Sequence, residues 1–418
     1  MPSPTILLLG TCDTKLPELL YAKSQIESTN TTVLLMDISR TPTTHPAITI
    51  PQNELLPPSP QTPDLFTLPR AEYITTLIPY ATEKVTTLYK AHRIHGILAV
   101  GGSCGTTLAT SVMRDALPVG FPKLMVSTMA SGDVAGYIGE TDISMMYSVV
   151  DIAGRNRLLE GVLSNAAGGI SGMASSYMSR GLRGEHGTGV RIGISMFGVT
   201  TPGVTRARER LESALEGCEV YVFHATGSGG RALERLVKEG QIDAVLDLTT
   251  TEMADEVVGG ILSAGSERLM AATAKNIPRV VSVGACDMVN FGAPQSVPVG
   301  FREEQRVFHE HNATVTLMRT TPKECADIGS LIARNLSRGA REDEAKRTKV
   351  ILPVGGISML DRPGQPFQDP EANEVLFSTL ERELEGSGIS VSRDPRDIND
   401  PHFAVMVADE LVNLIRGG

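Results

Sequence analysis

The stretch Ile97–Thr107, with the sequence ILAVGGSCGTT, decides the fold that this chain predicts. A short apolar run with little polar alternation, which is typical of a strand buried on both faces of a parallel sheet, ends at a loop of small residues. A predicted helix follows the loop. The same junction recurs at Ile6–Lys15 and at Leu124–Asp133. Three such junctions in the first third of the chain indicate an α/β protein with a parallel sheet.

The rest of the chain repeats this alternation of apolar strands and helices. We predict strands at 5–10, 32–37, 96–100 and 123–126 in the first half, and at 190–197, 219–223, 243–248, 279–283, 349–353 and 389–392 in the second. Between the halves lies Gly181–Gly189, a polar segment with four glycines that is typical of a domain boundary. We therefore predict two Rossmann-like domains, each a doubly wound parallel sheet, over residues 1–184 and 190–418.

The composition excludes several classes of protein. The 418 residues carry a net charge of −10 without a cluster of Lys and Arg, so the sequence offers no surface for nucleic acid. No apolar run approaches the roughly 18 residues that a membrane-spanning helix needs. Five cysteines, without a Cys-x-x-Cys pair, predict neither a disulfide framework nor a zinc site. With no signal peptide recognised before the first strand, we expect a cytoplasmic protein.

The small-residue loops are candidates for binding phosphate or carboxylate groups. Backbone N–H groups at a helix N-terminus attract anions, and a loop without bulky side chains lets the anion approach. We expect the helices to begin at about residue 16 and after Gly105. Neither loop matches the phosphate-binding sequence GxxxxGK[ST]. The alternative is a glycine turn followed by an ordinary helix cap.

The candidate ligand residues come from these loops. Lys15 could neutralise phosphate, whereas Asp13 would act through Mg²⁺ or on a hydroxyl group. Asp37 ends the second strand, where dinucleotide-binding folds have the acid that binds ribose, although a polar strand end fits equally well. The predicted cofactor-binding residues are Gly10, Thr11, Cys12, Asp13, Thr14, Lys15, Asp37, Gly101, Gly102, Ser103, Gly105, Thr106, Thr107, Thr128, Gly132 and Asp133.

Four residues of the second half are candidates for catalysis: Asp247, Glu252, Asp287 and His224. Both aspartates belong to the ends of apolar strands, so we expect them to lie near each other at the carboxyl edge of the sheet. Glu252 follows the same strand as Asp247, although Thr249 and Glu252 also match a capping box. His224 precedes a glycine-rich loop and could act as an acid or base, although a single histidine is more often structural.

Nearly the whole chain resembles one known family. The stretches ILLLGTCDTK, AVGGSCGTT and VSTMASGD of the first half, and VVSVGACDMVNFG and GGISMLDRPGQPFQDPEANEVLF of the second, are similar to the conserved family that contains the inhibitory domain of the tomato mosaic virus resistance protein. The resemblance implies two Rossmann-like domains, ATP binding in the first domain together with Mg²⁺, and the formation of a homodimer. It implies no particular reaction, and virus inhibition belongs to the plant member.

Two functions follow as hypotheses. In the first, the protein is an ATP-binding enzyme that uses Mg-ATP for phosphoryl transfer or acyl activation of an unknown small-molecule substrate in the cleft between the domains. Three anion-binding loops on one domain, and acids and hydroxyls on the other, favour it. In the second, ATP gates a non-catalytic dimeric module that binds another protein. The lack of a familiar catalytic motif favours that alternative.

Overall fold

The computed structural model of the protein describes residues 3–56, 65–183, 189–339, 341 and 345–417. The chain divides into two compact units, Met1–His186 (unit 1) and Gly187–Gly418 (unit 2). The predicted boundary segment, 181–189, lies mostly outside the described residues. Within the described residues, no helix is both long enough and apolar enough to cross a membrane.

Unit 1 is built on a five-stranded parallel sheet. Its strands are β1 (Thr5–Gly10), β2 (Thr32–Asp37), β3 (Gly96–Gly101), β4 (Lys123–Ser127) and β5 (Ser144–Tyr147). They lie in the order β2-β1-β3-β4-β5, and every neighbouring pair is parallel. The strand order reverses between β1 and β3. Ligands of doubly wound sheets bind at such a switch point, outside the carboxyl ends of the strands.

Helices cover both faces of this sheet. The helices described in unit 1 are α1 (Cys12–Glu27), α2 (Arg70–Lys90), α3 (Ser103–Ala116), α4 (Ala135–Ile138) and α5 (Arg157–Arg183). Side chains alternate between the two faces of a strand. Leu7 and Leu9 of β1 therefore pack with α2 and α3, whereas Ile6 and Leu8 pack with α1 and α5. This double burial explains the continuous apolar run Ile6–Leu9 of β1.

Unit 2 contains two sheets. The larger is six-stranded and parallel in the order β14-β13-β9-β8-β6-β7, and the smaller is antiparallel in the order β10-β12-β11. The parallel strands are β6 (Arg191–Met196), β7 (Glu219–His224), β8 (Ala244–Thr249), β9 (Arg279–Gly284), β13 (Thr348–Pro353) and β14 (Ser390–Asp394). The antiparallel strands are β10 (Met288–Phe291), β11 (Phe308–Asn312) and β12 (Val315–Arg319).

Helices also cover both faces of the larger sheet of unit 2. The described helices are α6 (Thr201–Ala214), α7 (Ser228–Lys238), α8 (Thr251–Val258), α9 (Ala271–Ala274), α10 (Val299–Glu303), α11 (Pro322–Ser337), α12 (Pro370–Leu384) and α13 (Pro401–Arg416). Ile192 and Ile194 of β6 pack with α6 and α13. Val281 and Val283 of β9 pack with α8, α11 and α12 on the opposite face. The predicted fold class, two Rossmann-like α/β domains with parallel sheets, is confirmed.

Several elements differ from the prediction. Helix α1 begins at Cys12 rather than at about residue 16, and α3 begins at Ser103 rather than after Gly105. Both first turns are polar, so they carry no apolar periodicity that could mark them as helix. Strand β5 and the antiparallel sheet were not predicted. The sequences of β5 (SMMY) and β11 (FHEHN) lie half-exposed or exposed and lack the continuous apolar run of a buried strand.

Candidate functional site

The first turn of α3 lies at the carboxyl end of β3, beside the switch point. Its N-cap, Gly102, has an extended backbone (φ −80°, ψ −164°) that any residue can adopt. Within the described ranges, no atom accepts a hydrogen bond from the backbone N–H groups of Ser103, Cys104 or Gly105. Helical bonding begins with the N–H of Thr106, which donates to the Gly102 carbonyl at 2.8 Å. Three N–H groups at the positive end of a helix are thus available to an anion.

Three glycines around this turn are not required by the packing of the protein. A Cβ atom built on Gly102 would lie 3.8 Å from Thr128 Oγ1, its nearest neighbour. A Cβ atom on Gly105 or Gly132 would meet no described heavy atom within 4 Å, and none of the three has a positive φ. Neither steric packing nor backbone conformation explains these glycines. Their lack of side chains leaves the backbone of this turn open to a ligand.

The other two predicted glycines serve packing. A Cβ atom on Gly10 would lie 2.5 Å from the side chain of Leu19, and one on Gly101 would lie 3.1 Å from Cα of Gly105. Both residues end strands and allow the following helix to approach the sheet closely. They position the loops and leave no free space for a ligand themselves.

The threonines of the α3 turn are also partly structural. Thr106 is fully buried, and its hydroxyl donates to the Gly102 carbonyl at 2.8 Å and lies 2.6 Å from Ser127 Oγ at the end of β4. The Thr107 hydroxyl donates to the Ser103 carbonyl at 3.1 Å. Thr106 therefore joins α3 to β4, while the exposed Ser103 carries the hydroxyl best placed for a ligand.

The N-terminus of α1, in contrast, is closed, which means that its first N–H groups already donate to side chains of the protein. Asp37 is fully buried, and its Oδ1 accepts hydrogen bonds from the backbone N–H groups of Cys12 (3.2 Å) and Ser39 (3.0 Å). The N–H of Asp13 donates to Ser39 Oγ at 2.9 Å. Asp37 acts inside the protein and presents no surface to a ribose. A phosphate at α1 would meet this carboxylate and be repelled.

The predicted cysteine of this loop is unreactive. Burial, followed by the neighbouring Asp37 carboxylate, raises the pKa of the Cys12 thiol well above its ordinary value. The thiol stays protonated at neutral pH, and the thiolate is the nucleophilic form. Cys12 therefore belongs to the core beneath the loop.

The remaining side chains of the first loop point toward its surface. The hydroxyls of Thr11 and Thr14 lie 3.0 Å apart, and Asp13 is exposed. Lys15 leaves the helical conformation (φ −130°, ψ 19°), and its ammonium group donates to the carbonyl of Ile152. Lys15 thus reaches across the carboxyl edge to the segment between β5 and α5.

That segment, 148–156, is a wall of the site that sequence reasoning missed. The N–H of Ser148 donates to the Ser127 carbonyl at 3.1 Å, and the N–H of Gly154 donates to Glu18 Oε1 on α1 at 2.6 Å. The segment therefore connects the end of β4 with α1. It follows a short, half-exposed strand and carries no motif, so no pattern of residues marks it.

Two carboxylates could hold a metal ion only with help from a ligand. Asp13 and Asp133 are exposed, and Asp133 Oδ1 accepts the N–H of Ala135 at 2.9 Å. Among the residues that the structure describes, no three His, Cys, Asp or Glu side chains come together as a metal site. Mg²⁺ commonly binds through one or two carboxylates together with phosphate oxygens. The residues present fit a Mg²⁺ ion that arrives with a polyphosphate.

In unit 2, two of the candidate catalytic acids bind one buried arginine. Arg268 is 1% exposed, and its guanidinium donates to Asp247, to Glu252 Oε2 (2.9 Å) and to Glu234 Oε1 (3.0 Å). Asp247 and Glu252 are themselves buried. Carboxylates that neutralise a buried arginine hold the protein together and cannot reach a substrate.

Glu252 also fills the N-terminus of α7. Its Oε1 accepts hydrogen bonds from the backbone N–H groups of Gly227 (2.8 Å) and Gly230 (2.9 Å). A Cβ atom on Gly230 would lie 2.0 Å from Glu252 Oε2. The predicted capping box is wrong, because Thr250 rather than Thr249 is the N-cap of α8 and the Glu252 carboxylate binds α7 instead.

Asp287 belongs to a different buried cluster. Its Oδ2 accepts the Ser358 hydroxyl at 2.7 Å, and its Oδ1 has no hydrogen-bond partner among the described residues. Burial and then the nearby Asp361 carboxylate raise the pKa of Asp287 to about 7, although Arg319 opposes the shift. Asp247 and Asp287 do come from the neighbouring strands β8 and β9, but each contacts a separate set of side chains.

His224 lacks the partners of a catalytic histidine. It ends β7, is exposed, and stacks on Phe197 with 5.6 Å between ring centroids. Within the described part of the chain, no acid or nucleophile contacts its ring. The structure therefore brings the predicted loops of unit 1 to one sheet edge. In unit 2 it joins Asp247 and Glu252 through Arg268, whereas Asp287 and His224 each lie in separate surroundings.

Comparison with known proteins identifies the family. The N-terminal domain of the uncharacterised protein family UPF0261 matches residues 4–179, and its C-terminal domain matches residues 190–415. A UPF0261 protein of Clostridium tetani is 42% identical over 98% of both chains. Another, from Rhizobium meliloti, is 41% identical over 96% of both chains.

A plant relative confirms the resemblance that the sequence motifs indicated. The ToMV resistance protein Tm-1(GCR237) of Solanum lycopersicum is 44% identical over 76% of this chain, which corresponds to 41% of the tomato protein. A solved structure, MurG of Acinetobacter baumannii, aligns over 100% of both chains at 10% identity, but its TM-score of 0.22 is too low to support an argument. The tomato Tm-1 proteins are among the homologues of this chain. The chain therefore belongs to the uncharacterised protein family UPF0261.

Proposed function

We propose that unit 1 binds ATP and that the phosphates of the nucleotide lie on the N-terminus of α3. One observation carries the proposal: the N–H groups of Ser103, Cys104 and Gly105 have no acceptor among the described residues, next to glycines that packing does not require. Backbone N–H groups and the helix dipole together favour a phosphate at this position. The resemblance of the first loops to an ATP-binding family supports the choice of ATP over other anions.

Magnesium enters the proposal with the nucleotide. Asp13 and Asp133 supply exposed carboxylates from two loops of the same edge, and phosphate oxygens would complete the coordination of Mg²⁺. The bound ion would neutralise phosphate charge that Asp13 would otherwise repel. We therefore expect ATP to bind more tightly with Mg²⁺ than with a chelator present.

Two uses of the nucleotide are possible. The first is chemistry, by phosphoryl transfer or acyl activation of a small molecule. The second is gating, in which ATP stabilises a homodimer that binds a partner protein. A specific observation favours gating: Asp247 and Glu252 are buried and bound to Arg268 inside unit 2, so they are not free to act as a general base.

Calorimetric titration of ATP into Gly102→Asp protein tests the binding site. We expect no measurable binding, because the new side chain and its charge would occupy the position of the phosphate. Gly300→Asp is the matched control, since a Cβ atom on Gly300 also meets nothing within 4 Å but lies on α10 of unit 2. Wild-type affinity in a folded Gly102→Asp protein would contradict the proposal.

A second measurement separates the two uses of ATP. Light scattering with and without Mg-ATP reports the oligomeric state, and chromatography of the same samples reports ADP. If ATP acts by gating, we expect a dimer that forms only with ATP. We also expect that no ADP accumulates over many hours. Formation of ADP that increases when a mixture of small carboxylic acids or sugars is added would favour the enzyme instead.

A further inference from the structure

Three exposed apolar side chains lie together at the carboxyl edge of unit 1. Met129 follows β4, Tyr147 ends β5, and Val149 begins the segment after β5. Their exposed fractions are 38%, 41% and 62%. They are three of the five large apolar side chains that the described residues of unit 1 expose. Concentration of such side chains at a ligand-binding edge indicates a functional surface.

Val149 is held in a strained turn. Its φ is +64°, and the N–H of Val150 donates to the Ser148 carbonyl at 2.7 Å, two residues back. This geometry is that of a classic γ-turn, which is rare and strained, and a β-branched residue is a clear outlier at positive φ. The Ser148 hydroxyl secures the turn by donating to the Val150 carbonyl at 2.7 Å. The side chain of Val149 is exposed to solvent, so its packing within the protein does not account for the strain. Such strain concentrates at functional sites.

Ser127 connects this turn with the N-terminus of α3. Its carbonyl accepts the N–H of Ser148 at 3.1 Å, and its hydroxyl lies 2.6 Å from the Thr106 hydroxyl on α3. Its Oγ also accepts the N–H of Met129 at 2.9 Å. In the sheet, Ser127 stands beside Tyr147. The backbone that carries the three apolar side chains is therefore joined to α3 through Ser127 and Thr106.

We infer that Met129, Tyr147 and Val149 form a platform on which the aromatic base of a nucleotide stacks while its phosphates bind α3. The inference rests on the proposed function and adds to it the residues that bind the base of the nucleotide. A tyrosine face and flanking apolar groups are the environment in which bases stack. The γ-turn fixes Val149 in place before the ligand arrives.

The test compares ATP with tripolyphosphate, which has the phosphates but no base. The variant combines Tyr147→Ala with Val149→Asn, since asparagine tolerates positive φ and so preserves the turn. Calorimetry with Mg²⁺ should give an ATP dissociation constant at least about fivefold higher than that of the wild type, the size of one lost stacking contact. The tripolyphosphate constant should not change.

Unit 2 offers a matched control. Tyr221 and Val222 of β7 are a neighbouring tyrosine and valine, exposed by 37% and 39%. The variant Tyr221→Ala with Val222→Asn should bind both probes as the wild type does. Weaker binding of ATP in this control would show that loss of exposed apolar surface in general, and not the platform, changes the affinity.

Each remaining outcome decides between the inference and the proposed function. The platform is overturned if the platform variant loses the same affinity for ATP as for tripolyphosphate, or if its affinity for ATP is unchanged. A wild type that binds tripolyphosphate as tightly as ATP overturns the platform but supports the phosphate site on α3. If neither probe binds the wild type, the proposed function fails and the platform with it. A change of oligomeric state at unchanged ATP affinity would assign the surface to a second copy of the chain.

Discussion

Helices α3 of unit 1 and α7 of unit 2 begin with similar glycine-rich loops but bind different partners. At α3, no described atom accepts from the first N–H groups, whereas at α7 the carboxylate of Glu252 accepts from Gly227 and Gly230. Unit 2 supplies its own anion from a position more than twenty residues away in sequence. A glycine-rich loop after a strand therefore indicates an anion, but it does not indicate whether the anion is a ligand.

Helix α1 extends this contrast within unit 1. Asp37 and Ser39 accept the first N–H groups of α1, just as Glu252 does at α7. Of the two helices that flank the switch point of unit 1, one is closed by the protein and one is open. The contrast between open and closed N-termini can be tested by mutation.

The largest effect should come from removing the cation of the closed cluster in unit 2. Arg268→Met leaves the buried Asp247 and Glu252, and the half-buried Glu234, without their counter-charge. We expect the free energy of unfolding of unit 2 to fall by about 3–5 kcal/mol. Hydrogen exchange resolved by unit measures this. The control is Arg206→Met, which breaks only an exposed pair with Glu209 and should cost less than about 1 kcal/mol. Equal effects would mean that the cluster is not a stabilising unit.

A pair of glycine substitutions compares the two N-termini directly. Gly105 and Gly230 are each the third residue of their helix. Gly230→Ala should destabilise unit 2 by about 1–3 kcal/mol, because the methyl group would overlap Glu252. Gly105→Ala should raise the stability of unit 1 by up to about 1 kcal/mol, since alanine favours the helix, while weakening ATP binding. Urea unfolding and calorimetry measure the two results. Loss of stability in Gly105→Ala would contradict an open α3.

The buried acids of unit 2 should also make its stability depend on pH. The pKa of Asp287 rises from 3.8 to about 7 on folding, and burial likewise raises the pKa of Asp255 to about 7. The folded unit therefore holds protons that the unfolded chain has released between pH 4 and 7. The contribution of these groups to the free energy of unfolding is fully present below about pH 4 and is lost as the pH rises through 7.

Asp287→Asn removes one of these titrations. The decline in unfolding free energy between pH 4 and 7 should become shallower by up to about 1.4 kcal/mol per pH unit. Urea midpoints at several pH values measure the slope. Exposed Glu209→Gln is the control and should leave it unchanged. An unaltered slope in Asp287→Asn would mean that Asp287 titrates normally in the folded protein.

The smallest effect should come from the closed N-terminus of unit 1. Asp37→Asn keeps an oxygen that can accept from Cys12 but removes the charge, so unit 1 should lose about 1 kcal/mol. ATP affinity should stay within about twofold, because the phosphates bind α3. Thermal unfolding and calorimetry give both numbers. Loss of ATP binding in this variant would assign the phosphates, or a ribose, to α1.

The parallel sheets could be predicted from sequence because their strands are buried on both faces. Strands such as β1 and β8 are buried at nearly every position, and a continuous apolar run marks that environment. Strands β5 and β11 could not be predicted, since they lie half-exposed and carry polar side chains. The other two strands of the antiparallel sheet, β10 and β12, are mostly buried but only four and five residues long, so neither stood out as a separate strand.

The candidate site was predictable in part, for a related reason. Glycines and hydroxyls after a strand marked the α3 turn, yet Gly101 and Gly105 look alike in sequence and differ only in their spatial neighbours. Acids at strand ends looked like ligand groups, but Asp37 and Asp247 are engaged by Ser39 and Arg268. Neither partner belongs to a recognisable motif, so no local pattern could distinguish an internal acid from a free one.

The central position of β1 has a consequence for synthesis of the chain on the ribosome. β1 is translated before the other strands of unit 1, and it pairs both with β2 and with β3, whose residues begin at Gly96. Parallel partners cannot be joined by a tight turn, so one edge of the apolar run Ile6–Leu9 stays unpaired until β3 has been translated. During that interval it is available to chaperones or to wrong partners. A pause in translation after β5 has left the ribosome, rather than earlier, would give the nascent unit time to complete its sheet.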